Sequence, residues 1–249
     1  MIVLKEGNLQ KIGWLFHAFF TRSGGCSRGP FSSLNLSFTV GDSPEDVFRN
    51  WEKVKDYLPF REIHLLRQIH SDRVLESNEF YGKSPIWIDE GDGLITSTPG
   101  LGVGVLTADC VPVVLVNLDK KRVAVVHSGW RGTVRNIAGR AVEKLGNPHS
   151  EKIMAVIGPA ISGERYSVGK DVVEEFQRAG LMRKDFYWKD TSGVYHLDLQ
   201  NVVKFQLISS GLSPDLINVI PCCTYGEELL FSYRKEKECG RMLTVAGII

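Results

Sequence analysis

The sequence predicts an α+β fold, with mixed β-sheets packed face to face as a sandwich and helices on the outside. Three observations lead there. Apolar β-branched runs and amphipathic helical segments are interspersed along the chain, yet strict strand–helix–strand order is not sustained. Two β-branched runs around a short polar turn, Val111 to Val116 and Val123 to Val126, read as a hairpin. Helix ends carry capping and stop residues, which separates helices from strands. The 249 residues are read as a single domain spanning 1–249, long enough for an extensive core.

The elements follow in order. Trp14 to Phe20 (WLFHAFF) reads as a buried strand, with His17 a satisfied core residue. Thr21 to Asp42 is rich in Gly, Ser and Pro, and a loop this long tends to be functional or mobile. Ser43-Pro44-Glu45-Asp46 starts a helix: an N-cap, proline at the first helical position, then acids in the first turn. It runs to about Leu58 on a face of Val47, Trp51, Val54 and Leu58. Ile63 to Gln68 is a strand that delivers Gln68 and His70 into IHSDRV. A lone histidine there reads as a surface or turn residue.

Gly93 to Thr96 is a short strand after the acidic run Asp89 to Asp92. Gly100, Gly102 and Gly104 alternate in PGLGVGVLTADC. The third glycine comes one residue too early for a dinucleotide fingerprint. The run instead reads as a strand over which another backbone, or a substrate, passes closely. The hairpin brings Cys110 and His127 toward one open end. A turn centred on Leu118-Asp119 pairs them directly; one centred on Lys120-Lys121 offsets them by about four residues, roughly 13 Å. A cysteine and a histidine there suit zinc, or a thiol and its base, or a buried structural pair.

Thr133 to Leu145 is helical and Gly146 stops it. The turn before it feeds a helix N-terminus, where Arg131 suits an anion. Lys152 to Ile157 is a strand, and Gly169 leads into a helix over Asp171 to Ala179. Residues 181–197 read as a partly exposed excursion. Asp198 caps a helix through Ser210, and Ile217 to Ile220 is a strand before Cys222-Cys223. Phe231-Ser232-Tyr233-Arg234 opens a charged loop, and Met242 to Ile249 is the closing strand.

Composition excludes several classes. A formal net charge of +1 gives no global field for nucleic acid or an anionic membrane. No apolar run approaches a bilayer span. The N-terminal segment has scattered charges and no cleavable apolar stretch, so no signal peptide is expected. Five cysteines (Cys26, Cys110, Cys222, Cys223 and Cys239) lack regular spacing, which points to reduced thiols and a cytoplasmic location.

Several segments occur together in order: RSGGCSRGPFSSLNLSFTVGDSPEDV, RQIHSDRV, DGLIT, LTADCVPVVL, VAVVHSGWRGT, IGPAISGERYSVG, LDLQ and FSYRKEKECGRM. This resembles the YfiH family, also called the laccase-domain or polyphenol-oxidase-like purine nucleoside phosphorylase family. The resemblance covers nearly the whole chain and implies a YfiH-like fold. It implies a zinc site, with copper as the alternative metal, at His70 of QxH, Cys110 of TADC and His127 of HxGWRG. It places Arg131 and Arg234 near the pocket. The implied activities are phosphorolysis of adenosine, inosine and methylthioadenosine, and deamination of adenosine. A copper-dependent polyphenol oxidase and a peptidoglycan editing factor are also claimed for members. One departure stands out: members commonly carry cysteine after IGP, where this chain has Ala160. That removes candidate extra copper ligands.

Two histidines and a thiolate leave one corner of a zinc tetrahedron open, the mark of a catalytic site. Arg131 and Arg234 are then candidates for phosphate. Gln68 is a candidate to fix the His70 loop, Asp109 to orient a histidine or cap a turn, Tyr166 to stack on a purine, and Asn35 to bond base or ribose. Without metal, Cys110 would be a nucleophile with His127 as its base, suited to amide hydrolysis. A zinc-tied binding module is the non-catalytic reading. The expected partners are a nucleoside and phosphate, and the sequence leaves the oligomeric state open.

Overall fold

The computed structural model describes residues 1–77 and 87–249. The chain begins with β1 (Val3–Leu4), α1 (Gly7–Gln10), β2 (Leu15–Phe20), α2 (Pro44–Tyr57), β3 (Glu62–Arg67) and β4 (Val74–Glu76). It continues with β5 (Trp87–Glu90), β6 (Gly93–Thr96), β7 (Leu101–Thr107), β8 (Val111–Asn117) and β9 (Arg122–Ser128). Then come α3 (Trp130–Val134), α4 (Ile137–Leu145), β10 (Ile153–Ile157), β11 (Ser167–Val168) and α5 (Lys170–Arg178). The last elements are β12 (Tyr187–Lys189), β13 (Tyr195–Leu197), α6 (Leu199–Ser209), β14 (Ile217–Val219), α7 (Tyr233–Glu236) and β15 (Met242–Ile248).

One sheet has the order β1-β2-β15-β7-β3-β5 and a second the order β14-β10-β8-β9-β6-β4. Both are mixed. In the first, β7 is parallel to β3 and antiparallel to β15. In the second, β6 is parallel to β4 and antiparallel to β9. Side-chain alternation stacks them. Val114 and Val116 of β8, with Val123 and Val125 of β9, meet Phe19, Val103, Val105 and Ala246 of the other sheet. Their neighbours Val113 and Leu115 face the opposite way, onto α4 and α6. The outer face of the first sheet is covered by Val47, Trp51 and Val54 of α2. Strands buried on both faces lose polar alternation, which is why β8 and β9 are continuous apolar runs.

The start of α2 is as expected: the Ser43 hydroxyl accepts from the Asp46 N–H, and Pro44 is the first helical residue. His17 is 2% exposed and accepts from the Glu6 N–H at 2.9 Å, and burial lowers its pKa to about 4. Elsewhere the sequence expectations need correction. The helix expected over Thr133 to Leu145 is two helices. Asn136 turns left-handed (φ 60°) and its side chain caps α4 at Gly139. Residues 181–197 include two short strands, β12 and β13, which pair with each other, and β13 also pairs with β11. The charged loop after Phe231 contains α7, capped by Ser232.

The hairpin register falls between the two alternatives. Asn117 pairs with Arg122 and His127 with Pro112, so the turn centres on Asp119-Lys120. The Asn117 side chain closes it by accepting from the Asp119 and Lys120 N–H groups. Cys110 thus lies two residues before the partner of His127.

The alternating glycines of β7 serve packing. Gly102 pairs with Gly247, and a Cβ on Gly102 would lie 2.4 Å from the Phe60 ring. An aromatic ring, rather than substrate, therefore passes over this strand. Gly102→Ala is expected to cost about 1–3 kcal/mol through overpacking, read as a lower denaturation midpoint with an unchanged denaturant slope.

Candidate metal centre and substrate cavity

The ends of three strand segments converge at one end of the sandwich. His70 follows β3, Cys110 lies between β7 and β8, and His127 is the next-to-last residue of β9. One donor atom from each lies within 4.8 Å of the others. The two imidazoles meet edge to face, 4.8 Å between centroids. Among the described residues this is the one group of three such side chains close enough to share a metal ion.

A buried carboxylate holds the arrangement. Asp92 is fully buried, and its Oδ1 accepts from His127 Nδ1 at 2.8 Å and from the His70 N–H at 3.1 Å. Its Oδ2 accepts from the Ser71 N–H at 2.6 Å, the Ser71 hydroxyl at 2.7 Å and the Ile69 N–H at 3.3 Å. These bonds bend the loop so that His70 adopts φ 57°, a conformation side chains rarely take. They also fix the proton of His127 on Nδ1 and leave Nε2 to serve as a ligand.

Charge follows from this geometry. Burial disfavours the ionised Asp92, but the bonds from His127 and Ser71 win, and its pKa falls below the usual carboxylate range. Burial also acts to lower His127; the negative charge of Cys110 and the Asp92 bond outweigh it, and its pKa rises to about 9. His70 goes the other way, lowered first by burial and then by the charge of His127.

The donor set fits a zinc ion: two imidazoles and a thiolate are ligands zinc favours, and three of them would leave a position open for substrate or water. The backbone is also shaped for it. A Cβ on Gly129 would lie 2.7 Å from His70 Nδ1 and 3.2 Å from Cys110 Sγ, so glycine keeps the space between donors open. Two imidazoles and a thiolate also suit copper.

The donors line a cavity of about 810 Å³. Its walls include Phe38, Gln68, Trp130, Tyr166, Tyr233, Arg234 and Arg241. The size suits a small organic ligand. Arg234 donates through Nη1 to the Ser167 carbonyl and hydroxyl, and its guanidinium lies 4.9 Å from the Tyr166 ring centroid. Burial, then the charge of Cys110, raises the Tyr166 pKa and keeps its phenol protonated. Gln68 clamps β7 through both its side-chain atoms, donating to the Leu106 carbonyl and accepting from the Leu106 N–H.

Three expected residues are placed otherwise. Asn35 is fully buried outside the cavity; its side chain bonds Ser37 and Asp42 within the long loop and the Arg241 N–H just before β15, so it has no free atom for a base or ribose. Arg131 is exposed and lines a neighbouring depression of about 290 Å³, stacked 4.2 Å from the Trp130 ring centroid. Its charge still reaches His70. Asp109 orients no histidine. Its carboxylate accepts from the Thr224 hydroxyl at 2.5 Å and the Arg234 N–H at 2.6 Å.

Residues 16–249 match the family described as multi-copper polyphenol oxidoreductase laccase. The chain belongs to this family. A Deinococcus radiodurans protein named purine nucleoside phosphorylase is 36% identical over 238 residues, covering 93% of this chain and 88% of that protein. Purine nucleoside phosphorylase YlmD of Geobacillus stearothermophilus is 34% identical over 244 residues, covering 91% and 88%. A crystal structure of YlmD from that organism superposes with a TM-score of 0.88 at 29% identity, over 99% of this chain and 98% of that one. Bacillus licheniformis YfiH gives a TM-score of 0.85 at 32% identity, over 94% and 93%. The YfiH-like fold expected from the sequence is the fold observed.

Asp92 and Arg241 were missed by sequence reasoning. Asp92 opens the DGLIT segment and Arg241 lies in ECGRM, but neither segment has a spacing that singles out a site residue. Asp92→Asn is expected to weaken metal binding about 10- to 100-fold, measured by chelator competition. Affinity should also depend on pH. The metal-free imidazolium of His127 favours the fold most below pH 6.5, and that contribution is lost as pH rises through about 9. Metal must displace this proton, so affinity should rise about tenfold per pH unit toward pH 9, with proton release on binding.

Proposed function

We propose that the chain is a zinc-dependent purine nucleoside phosphorylase that acts on adenosine, inosine and methylthioadenosine and also deaminates adenosine. One observation supports this above the rest. Three donors from separate stretches of the chain meet on the wall of a cavity that also presents the guanidinium of Arg234. The names of the relatives support the phosphorylase part of it.

In this reading His70, Cys110 and His127 hold the ion. When bound, zinc supplies Lewis acidity to an oxygen of phosphate or water. The remaining work belongs to the chain. Asp92 fixes the His127 ring. Arg234 orients phosphate through charge-assisted bonds, and the bond to Ser167 holds the guanidinium in place. Arg131 contributes charge from outside the cavity. The protonated Tyr166 donates a hydrogen bond to substrate. Phosphorolysis then joins a phosphate oxygen to the ribose anomeric carbon as the bond to the purine breaks. A reducing cytoplasm suits the five free thiols. No helix among the described residues is long and apolar enough to cross a membrane.

Purified protein is expected to release purine base and sugar 1-phosphate from these nucleosides only when phosphate is present. Chelation should abolish this and zinc restore it. Base release that ignores phosphate, or none from any nucleoside, overturns the reading; recovery with copper alone reassigns the metal. Cys110→Ser and His127→Ala should lose turnover while keeping a cooperative unfolding transition. Arg234→Gln should raise the KM for phosphate about 10- to 100-fold, the worth of a charge-assisted bond, with a smaller effect on the KM for nucleoside.

A second reading is favoured by the Asp92–His127 bond beside Cys110. Cys110 would attack an amide, His127 would take its proton, and Asp92 would orient the imidazole. Editing of a cell-wall precursor falls in this class. Activity on an amide substrate that survives chelation but is lost on thiol alkylation would select it.

A further inference from the structure

Four aromatic side chains line the cavity, and they differ in what covers them. Trp130 and Tyr166 are half-buried. Arg131 stacks on the first, and Arg234 stacks on the second. Phe38 is also exposed, at 42%, but lies on the long loop after β2. Tyr233 is the more open of the two and sits on a helix: it lies in the first turn of α7, lines the cavity and is 55% exposed. A large aromatic ring left this open on a cavity wall contributes little to the core.

Tyr233 is nevertheless firmly placed. The Arg241 guanidinium lies 5.6 Å from its ring centroid. That guanidinium is itself held, donating to the Cys239 carbonyl at 2.8 Å and the Gly240 carbonyl at 3.1 Å. The helix carrying the ring is tied to the donor cluster. The Asp109 carboxylate accepts from the N–H of Arg234, the residue after Tyr233, and Asp109 immediately precedes Cys110. Asp109 takes φ 92°, which sends its side chain toward α7 while Cys110 joins the histidines. One residue therefore sets the distance from the metal donors to the open ring.

We infer that Tyr233, steadied by Arg241, is the platform on which the purine ring of the substrate stacks. This rests on the nucleoside reading of the same cavity and adds a specificity-determining residue to it. Stacking needs a flat, exposed, immobilised ring at a fixed distance from the reacting atoms, and Tyr233 meets each condition. Such contacts accept any purine and reject ligands without a π-face. The site would thus take adenine- and hypoxanthine-bearing nucleosides alike.

The test separates base from phosphate. Adenine alone and inorganic phosphate alone are titrated into the metal-loaded protein by calorimetry. Adenine is not turned over without sugar phosphate. Tyr233→Ala should weaken adenine binding about 5- to 150-fold, the range for one base on one aromatic ring, and leave phosphate unchanged. Tyr233→Phe keeps the ring and should bind adenine as the wild type does. Arg241→Met should weaken adenine by less than Tyr233→Ala. Adenine binding that is unchanged in Tyr233→Ala overturns the platform while leaving the phosphorylase reading standing. So does an equal loss of adenine and phosphate, which marks a purely structural residue. Wild-type protein that binds neither ligand sinks both.

Discussion

The buried carboxylate of Asp92 is the constraint on which the site depends. A charge removed from water is tolerated only when its lone pairs are met, and here five donors meet them. Those donors come from two places far apart in sequence, the Ile69–Ser71 loop and His127. One group thus does what neither the β3 loop nor β9 can do alone: it presents two imidazoles to a common point. The Asp92 carbonyl also accepts from the His127 N–H at 2.7 Å, so backbone and side chain of the same pair lock together.

Asp109 supplies a second bracket of the same kind. Its carboxylate joins the Thr224 loop and α7, and its carbonyl accepts from the Ile161 N–H. The donor cluster and the arginine-bearing wall are therefore referenced to one turn. Two residues have positive φ, His70 within the cluster and Asp109 beside it. Unfavourable conformations at both are held by hydrogen bonds that the surrounding strands fix in place.

Much of the layer architecture was legible because local chemistry encodes it. Ser43-Pro44 marks the start of α2, and unbroken valine runs mark strands buried on both faces. The strand order was not legible, since pairing β15 between β2 and β7 depends on contacts distant in sequence. The break at Asn136 escaped notice because asparagine inside an apolar helical pattern looks merely tolerated. In the site, His70, Cys110 and His127 were found through motif order, not geometry: the hairpin alone left the register open. Asn35 is not legible because a loop asparagine can face inward or outward, and here its bonds go to Ser37 and Asp42 of its own loop and to the Arg241 N–H. Asp92 hid among neighbouring acids whose burial no local pattern distinguishes.

Gly129 has a consequence beyond its small size. Ser128 before it is fixed in β9 and Trp130 after it begins α3, so the chain at this point has little freedom to retreat. A single methyl added there would protrude between imidazole and sulfur, much as a plug fills a socket. The protein could keep all three donor side chains, every layer of its core and the Asp92 bracket, and still lack the room for a metal ion between them. Vacancy at that one carbon is as much part of the binding chemistry as the three atoms that surround it.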